Sequence, residues 1–457
     1  MQKEINMNEQ DKIIVGLDIG TTKISVIVSR RNEHGKLEVL GSGRAESLGV
    51  LRGVVSNIDK TVNSIRDAVN EASAKAGFDI REVYVGIAGQ HIRSLQHRGI
   101  LVRDNQEDEI SGQDVERLIN DMHKLVLQPG EKIIHVLPQD YIVDHEQGIK
   151  EPIGMAGVRL EANFHIIAGQ VNPIRNIYKC VKKAGLEVKD LILEPLASSA
   201  AVLSEEEKEA GVALVDIGGG TTDIAIFQDN IIRHTAVIPF GGNVITEDIK
   251  EGCMIMRNQA EQLKVRFGSA FAVETQENEI VSIPGLRGMA PREISVKNLS
   301  HIIQARMEEI VEHVFYEIKH SGFRNKLIGG IVLTGGGSKL KSLPQLVEYI
   351  TGMNARVGYP TEHLCKGYTD EIKHPMYATG IGLNIKGFED FDYELEKARH
   401  KAPLHTMAGE QASEQAGESE AEEREENKSV RTPKMRWFDR ILNTGKRFFE
   451  EDDSEFE

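Results

Sequence analysis

Cysteine, aromatic residues and long apolar runs are scarce in this sequence of 457 residues. The three cysteines, Cys180, Cys253 and Cys365, lie far apart without CxxC spacing. This argues against a disulfide framework or a zinc site and favours a reducing compartment such as the cytoplasm. No apolar run approaches the length of a transmembrane helix, about 18 residues or more. The charged N-terminus lacks the apolar core of a signal peptide, so we expect none.

Positive charge is also in deficit, since the formal net charge is −16 at pH 7 and acidic residues are enriched near the C-terminus. Because phosphate neutralisation needs a basic face, this balance argues against nonspecific nucleic-acid binding. Aromatic residues make up 5% of the chain and hydrophobic residues 40%, which is enough for cores packed mainly by aliphatic side chains. The length exceeds what one compact core holds, so we expect more than one folding unit.

A duplicated pattern is the clearest feature that the sequence does contain. Residues 13–28 and 212–227 are both β-branched runs interrupted by small residues, which predicts a strand, a tight turn and a second strand. The two segments align as hydrophobic-Asp-Ile-Gly, then Thr-Thr, then an apolar run, with two extra glycines in the second copy. This self-similarity predicts two halves of like topology.

A third glycine turn and several helical segments complete the coarse pattern. Residues 329–338 are an apolar run that ends in Gly-Gly-Gly-Ser. Apolar residues recur three and four apart over 58–76 and 299–318, and 340–350 has the pattern of a short helix. Strands that alternate with helices predict α/β architecture in both halves.

An aspartate at a strand end, followed by glycines and threonines, has the chemistry needed to bind a magnesium nucleotide. Glycine lets backbone N–H groups approach phosphate oxygens, threonine hydroxyls add donors, and the carboxylate faces the hydrated Mg²⁺. Asp18 and Asp216 are therefore the predicted metal ligands, with simple turn capping as the alternative. The predicted nucleotide contacts of the two hairpins are Asp18, Gly20, Thr21, Thr22, Lys23, Asp216, Gly218, Gly219, Gly220, Thr221 and Thr222. A surface ion pair is the alternative role for Lys23.

The order of these segments resembles the superfamily of actin, sugar kinases and heat-shock chaperones over residues 13–386. In that superfamily two loops bind the phosphates of ATP from opposite sides and a third loop holds the adenosine. The resemblance assigns the third loop to Gly335, Gly336, Gly337 and Ser338. Residues 193–200 and 377–383 resemble its two connecting helices, and Glu194 would position the attacking water. The alternative for Glu194 is an ordinary carboxylate at a helix N-terminus. The spacings of a P-loop and of a Rossmann motif do not match.

Within this superfamily, the segment between the two hairpins resembles the FtsA family of cell-division proteins. Residues 83–94 look like the start of that family's small inserted domain, and 133–141 with 143–144 look like its middle strand pair. The predicted fold class is α/β: an actin-like duplicated fold with two lobes, an FtsA-type inserted small domain (SHS2-like) and a disordered C-terminal linker ending in an amphipathic helix. The predicted units are 1–85 and 169–205 for the lobe 1 core, 86–168 for the inserted domain, 206–245 for the first part of the lobe 2 core, 246–324 for its small subdomain, 325–400 for the rest of lobe 2 and the return to lobe 1, 401–433 for the linker and 434–450 for the helix.

The C-terminal pattern predicts a membrane-binding element. Residues 401–433 are rich in glutamate and nearly free of bulky apolar side chains, which predicts a disordered linker. Residues 434–450 combine an apolar stripe at helical spacing with flanking cations, the pattern of an interfacial helix. The predicted membrane contacts are Trp437, Phe438, Ile441, Leu442, Phe448 and Phe449 in the stripe, with Arg436, Arg440, Lys446 and Arg447 around it. A helix that docks on its own domain is the alternative.

The resemblance implies a protein that binds ATP and Mg²⁺, hydrolyses ATP slowly or not at all, and self-associates on the inner face of the cytoplasmic membrane at the division site. There it would anchor the tubulin-like FtsZ, support Z-ring assembly and recruit later division proteins through the inserted domain. Arg292 and Arg306 are the candidates for binding the acidic C-terminal peptide of FtsZ. Two alternatives stay open: a sugar-kinase-like phosphotransferase, and a pilus- or secretion-type actin-like adaptor that would not bind FtsZ.

Overall fold

The computed structural model describes residues 12–103, 108–285, 290–365 and 370–401. This part of the chain contains two lobes, each built on a five-stranded sheet, and an inserted domain built on a four-stranded sheet. Three clusters of buried apolar side chains lie mainly in lobe 1, lobe 2 and the insert, and the first extends onto the lobe 2 sheet through Val212, Leu214 and Phe227. The predicted α/β class with two lobes and an insert is confirmed.

The first part of lobe 1 is a sheet covered by one long helix. Its elements are β1 (Ile13–Ile19), β2 (Lys23–Arg31), β3 (Leu37–Glu46), β4 (Val50–Leu51), β5 (Val54–Val55), α1 (Ile58–Ala76) and β6 (Glu82–Ile87). Local signals define α1: the side chain of Asn57 accepts a hydrogen bond from the backbone N–H of Lys60, and Gly77 ends the helix at φ 80°. These are the cap residues that helix ends favour.

The inserted domain follows, and the chain then returns to lobe 1. The insert comprises β7 (Ile92–Val102), α2 (Gly112–His123), β8 (Glu131–Val143), β9 (Glu146–Ile149) and β10 (Arg159–Gln170), with strand order β7-β10-β8-β9. Lobe 1 resumes with α3 (Val171–Lys183), β11 (Glu187–Leu193) and α4 (Glu194–Val202). The expected strand pair at 133–144 is wrong: β8 runs unbroken through it, because it pairs with β10 along its whole length and irregularities at Asn163/Phe164 and Ile167/Ala168 absorb the change of register.

Lobe 2 carries its own sheet and a helical subdomain. Its elements are α5 (Glu205–Ala210), β12 (Val212–Ile217), β13 (Thr222–Gln228), β14 (Ile231–Ile238), α6 (Gly242–Cys253), α7 (Arg257–Phe267), β15 (Ile280–Ile283), β16 (Arg292–Ser295), α8 (Val296–His320), β17 (Ile331–Thr334), α9 (Leu343–Thr351) and β18 (Ala355–Val357). The last described helix, α10 (Ala378–Lys401), returns to lobe 1.

The two large sheets have the same topology. Lobe 1 has the order β3-β2-β1-β6-β11, and lobe 2 has the order β14-β13-β12-β17-β18. In both sheets the first three strands are antiparallel and the last three are parallel. The duplication predicted from the two hairpins is confirmed, and it places the two Asp-Ile-Gly turns at equivalent sheet positions.

Two connecting helices, α4 and α10, cross between the lobes in close contact. A Cβ on Gly382 of α10 would lie 1.8 Å from the backbone oxygen of Ala197 in α4, so only glycine permits this approach. Inside lobe 1, Ser29 donates a hydrogen bond to Asn384 Oδ1 at 2.8 Å, which holds α10 against β2. Small residues thus let the two connecting helices pack closely.

The inserted domain also contacts lobe 2 through polar groups. Gln139 donates to the backbone oxygen of Ile232 at 3.0 Å, and Ser94 donates to the backbone oxygen of Thr235 at 3.2 Å. The ring of His165 lies 3.1 Å from Thr235 Oγ1. These bonds reach β14, the edge strand of lobe 2, so the insert touches both halves of the molecule.

Candidate functional site

The hairpin of lobe 1, formed by β1 and β2, holds a buried ion pair at its turn. Asp18 Oδ2 accepts from Lys23 Nζ at 2.8 Å and from Ser25 Oγ at 3.2 Å. Lys23 Nζ also lies 5.0 Å from the centroid of the Tyr377 ring. The side chains of Asp18 and Lys23 are only 8% and 12% exposed. The surface ion pair considered for Lys23 is therefore wrong, because its amine lies inside the cleft.

The hairpin of lobe 2, formed by β12 and β13, places two carboxylates opposite each other. Asp216 and Asp223 are cross-strand partners. Burial raises the pKa of Asp216 to about 6, although Ser198, whose hydroxyl donates to Oδ2 at 2.7 Å, favours the ionised form. Burial and the carboxylate of Asp216 raise the pKa of Asp223 to about 8. Thr221 donates to Asp223 Oδ2 at 2.9 Å, whereas Oδ1 is buried without a hydrogen-bond partner among the described residues.

The turns of the two hairpins face each other in contact. A Cβ on Gly219 would lie 1.8 Å from Thr22 Oγ1, and one on Gly220 would lie 2.5 Å from Thr21 Oγ1. Glycine is thus the residue that allows the threonine hydroxyls of lobe 1 to reach the backbone of lobe 2. The structure brings together the two sets of residues that the sequence predicts as phosphate contacts.

Glu194 begins α4 and lies between the two hairpins. A Cβ on Gly86 of β6 would lie 3.1 Å from the Cγ of Glu194, so this glycine leaves room for the glutamate side chain. Burial raises the pKa of Glu194 well above its usual range. The aspartates of the two hairpins, Asp18 foremost, raise it further, and Lys23 opposes them. The carboxyl therefore belongs to the same electrostatic unit as the two hairpins.

The third glycine turn lies beside the second hairpin. It follows β17, which pairs in parallel with β12, so that Thr334 aligns with Asp216. A Cβ on Gly335 would lie 2.3 Å from Asp216 Oδ1. Gly336 to Lys339 form a single 3₁₀ turn, closed by a 2.8 Å bond from the Ser338 hydroxyl to the backbone oxygen of Gly335. Because this turn takes up residues 336–339, the helix expected from 340 begins at Leu343.

The donor set of the site fits a hydrated cation bound with an anion. Four carboxyl groups lie at the turns of the hairpins and the start of α4: those of Asp18, Glu194, Asp216 and Asp223. Lys23 is the cation among them and forms an ion pair with Asp18. The partnerless Oδ1 of Asp223 is a further acceptor. Within the described ranges, no group of three His, Cys, Asp or Glu side chains is spaced to hold a metal by itself. Mg²⁺ suits this arrangement because it keeps several waters and shares phosphate ligands.

Sequence reasoning missed two polar residues of this site. Asp223 is the last residue of the second phosphate loop, 216–223, that the resemblance implies, but it is not among the predicted nucleotide or metal contacts. The signal was present: an acid follows the Thr-Thr pair of the second copy. Ser198 lacks such a signal, because only the packing of α4 against β12 brings its hydroxyl to Asp216.

Arg292 and Arg306, the predicted peptide contacts, both lie in the lobe 2 subdomain but in different settings. Arg292 is exposed and donates to the backbone oxygens of Cys253 and Met254 at 2.7 and 2.6 Å. Arg306 makes a bidentate bond to Asp248 at 2.6 and 3.0 Å and a further bond to Glu309. No bond joins the two arginines to a shared carboxylate in the described structure.

The predicted linker and membrane contacts at 402–457 lie outside the described residues. Among the helices that are described, none combines the length and apolar character needed to cross a bilayer.

Two lobes of equal topology, facing glycine hairpins and a pair of connecting helices define an actin-like protein. A solved structure with this fold is that of the PilM–PilN type IV pilus biogenesis complex, which matches with a TM-score of 0.60 over 82% of this chain and 98% of that chain. The sequence identity is 16%, so this likeness shows the fold alone.

The sequence comparisons define the family. The model for "Cell division protein FtsA" matches residues 213–382, and that for "SHS2 domain inserted in FTSA" matches residues 89–168. The cell division protein FtsA of Pseudomonas aeruginosa is 44% identical over 382 residues, covering 83% of this chain and 90% of that protein. The FtsA of Escherichia coli K12 is 35% identical over 396 residues, covering 84% and 93%. The chain belongs to the FtsA family of actin-like cell-division proteins, which favours the division role over the sugar-kinase and pilus alternatives.

Proposed function

We propose that the chain binds ATP with Mg²⁺ between its lobes and acts in division as a membrane-attached, self-associating anchor for FtsZ. The observation that carries the nucleotide part is the contact between the two hairpins, where Thr22 Oγ1 reaches the backbone at Gly219. Backbone N–H groups and threonine hydroxyls converging from both lobes suit the phosphates of a nucleotide. The resemblance to the superfamily supports adenosine at residues 335–338.

The carboxylates of the two hairpins would hold the hydrated magnesium, which supplies charge neutralisation at the phosphates when it is bound. Asp18 and Asp216 are the proposed ligands, through water. Lys23, already fixed against Asp18 at 2.8 Å, would face the phosphates. The unpartnered oxygen of Asp223 is available to a metal-bound water.

Glu194 is the proposed residue that orients the attacking water in ATP hydrolysis. Burial first, and then the hairpin aspartates, raise its pKa, which favours the protonated form of the carboxyl in the nucleotide-free protein. A protonated carboxyl is a poor general base. Slow turnover is the expected consequence, in keeping with a nucleotide that controls assembly rather than metabolism.

The lobe 2 subdomain is the proposed site for the acidic FtsZ peptide. Arg292 is the stronger candidate, because it is exposed and lies beside Met254, which is 77% exposed. A cation next to an apolar side chain suits a peptide that carries both acidic and apolar residues. Arg306 is less available, since Asp248 and Glu309 already neutralise it.

A direct test compares Arg292→Glu with Arg324→Glu, an exposed arginine at the C-terminal end of the same 246–324 subdomain. We expect Arg292→Glu to weaken binding of a labelled FtsZ C-terminal peptide at least about tenfold, since like charges now meet, and Arg324→Glu to leave it unchanged. Equal affinities for wild type and Arg292→Glu would remove Arg292 from the site.

The pattern at 434–450 supports attachment to the inner face of the cytoplasmic membrane. Six large apolar side chains, partly immersed, give on the order of 5–9 kcal/mol before ordering costs. Cations near an anionic leaflet add roughly 1 kcal/mol each. Because helix ordering offsets several kcal/mol, a single copy binds weakly, and self-association strengthens attachment through effective concentration. The linker spans about 30 Å root-mean-square, enough for a second protein layer.

Co-sedimentation with vesicles containing anionic lipid tests the membrane part. The full chain, a chain truncated after residue 433 and the double variant Trp437→Glu/Phe438→Glu are each measured with and without MgATP and FtsZ. We expect the full chain to sediment and to carry FtsZ with it, and the other two to stay in the supernatant while still binding nucleotide. Truncated protein that sediments as well as the full chain would overturn the tail assignment.

Self-association and recruitment of later division proteins through the inserted domain complete the proposal. Family membership supports both, and the position of the insert, which contacts lobe 1 and lobe 2, suits a domain that responds to the state of the cleft. Sedimentation velocity with and without MgATP tests self-association in solution. Protein that stays monomeric even at high surface density on anionic vesicles would contradict self-association.

A further inference from the structure

His135 of the inserted domain forms a hydrogen bond at the edge of the nucleotide site. It lies in β8, and its Nε2 accepts the backbone N–H of Leu193 at 3.1 Å. Leu193 is the last residue of β11, directly before Glu194. The two bonded residues are 58 positions apart in sequence, so the bond joins the insert to the start of α4.

The bond from His135 ties the start of α4 to the inserted domain. Leu193 is the N-cap residue, and among the described residues no side chain caps the helix by a hydrogen bond, although Pro195 lies in its first turn. The backbone of Leu193 is extended (φ −60°, ψ 126°), and the next residue enters the helix. The Leu193 N–H belongs to the peptide group between residues 192 and 193. The orientation of this peptide group helps to set the position from which the Glu194 side chain projects.

The surroundings of His135 keep it an acceptor. It is 4% exposed, and burial lowers its pKa to about 3, with His123 of α2 and Lys386 of α10 acting in the same direction. The ring is therefore neutral at physiological pH. Because Nε2 accepts a hydrogen bond from the backbone N–H of Leu193, the neutral ring carries its proton on Nδ1.

Strand β6 limits the space around the Glu194 side chain. Gly86 lies on β6, the strand next to β11, and a Cβ added at this position would lie 3.1 Å from Glu194 Cγ. The carboxyl thus lies between β6 and the two hairpins, and a small tilt of the start of α4 moves it relative to the phosphates. Displacement of a reacting group by about 1 Å can cost about a hundredfold in rate.

We propose that His135 is a positioning residue for ATP hydrolysis: by accepting the N–H of Leu193, it fixes the start of α4 and so places the Glu194 carboxyl at the phosphate end of the cleft. This rests on the proposed nucleotide function. Through this hydrogen bond the inserted domain would affect the rate of hydrolysis without touching the residues that contact the nucleotide. A partner that shifts β8 would change turnover without changing nucleotide affinity.

The test uses the full chain and two substitutions of similar size. His135→Gln keeps an acceptor at the end of a flexible side chain, and His135→Met removes it. His165→Met is the matched control, because His165 is a buried histidine of the same sheet whose ring bonds lobe 2 rather than Leu193. Phosphate release at saturating MgATP, the Kd of a fluorescent ATP analogue, the melting temperature, and amide hydrogen exchange of the peptide around residue 193 are measured for each.

We expect His135→Met to lower kcat about tenfold or more while the Kd changes by less than about twofold, and to speed exchange around residue 193. His135→Gln should recover most of the rate. His165→Met should lower the melting temperature without the selective fall in kcat.

Equal loss of kcat in His135→Met and His165→Met, or no difference between Gln and Met at position 135, would overturn the proposal. Wild-type protein that binds MgATP but releases no phosphate would also overturn it while leaving nucleotide binding intact. Failure to bind MgATP at all would instead count against the proposed function itself.

Discussion

Asp216 and Asp223 pair across the hairpin of lobe 2 at the positions that Asp18 and Ser25 hold in lobe 1, where the amine of Lys23 lies beside Asp18. In lobe 1 the amine neutralises Asp18 at 2.8 Å. In lobe 2 the acid of Asp223 instead faces Asp216 across the hairpin. The lobe 2 side of the cleft thus brings two acids together whose pKa values are raised by burial, and a bound cation would favour their ionised forms.

Removing the amine of Lys23 should affect both stability and nucleotide binding. We expect Lys23→Met to destabilise the protein by about 3 kcal/mol, because it leaves a buried carboxylate without its partner. The affinity for MgATP should also fall about tenfold or more. Urea unfolding and titration with a fluorescent ATP analogue measure the two effects. The control is Lys75→Met, whose amine forms an exposed pair with Glu71 and should change neither quantity.

Neutralising Asp223 should have opposite effects on the free and the liganded protein. Asp223→Asn removes a buried acid whose Oδ1 has no partner in the described part of the chain, so we expect the nucleotide-free protein to gain about 1 kcal/mol or more. The same change should weaken binding of MgATP. Melting curves with and without MgATP report both, with Asp59→Asn as control because its side chain is 86% exposed. A nucleotide-free protein destabilised by Asp223→Asn would contradict this account.

Contact between the hairpins should make Gly219 intolerant of a methyl group. Gly219→Ala places a Cβ 1.8 Å from Thr22 Oγ1, which must push the hairpins apart. We expect a loss of stability of about 1–3 kcal/mol and a marked loss of nucleotide affinity. Gly112→Ala is the control, since its Cβ would meet nothing closer than Ile153 Cδ1 at 4.0 Å. Equal nucleotide affinity in both variants would mean that the hairpins do not bind the phosphates.

Acid should destabilise the protein through its buried histidines. Burial lowers the pKa of His165 to about 4 from an ordinary 6.5. The unfolded chain therefore binds more protons than the native one between these values, and stability falls as pH drops from 6.5 towards 4. The slope for one such group is about 1.4 kcal/mol per pH unit.

His165→Gln isolates that contribution. Gln96 Nε2 donates to His165 Nδ1, which leaves the ring proton on Nε2 to face Thr235 Oγ1, and a glutamine can still bond one of these groups. We expect the variant to show a shallower dependence of the free energy of unfolding on pH between 4 and 6.5. His301→Gln, at an exposed position, is the control. An unchanged slope in His165→Gln would show that this ring does not govern acid lability.

The sequence was most informative where structure is local. Helix α1 has the bounds 58–76 that periodicity predicts, because its cap residues, Asn57 and Gly77, act within one turn. The two hairpins and the third glycine turn were likewise predicted, since strand pairs joined by short turns leave a periodic pattern. The strand at 131–143 was not predicted as one element, because its continuity comes from pairing with β10.

By itself, the sequence determined the duplication, the family and the residues that line both sides of the cleft, because each depends on short patterns of glycine, threonine and aspartate. Tertiary structure decided which charges meet. Asp223 and Asp216 become coupled only when the hairpin closes, and His135 reaches Leu193 only when the insert packs on lobe 1. Such contacts join residues far apart in the chain, and no local pattern encodes their distance or their burial.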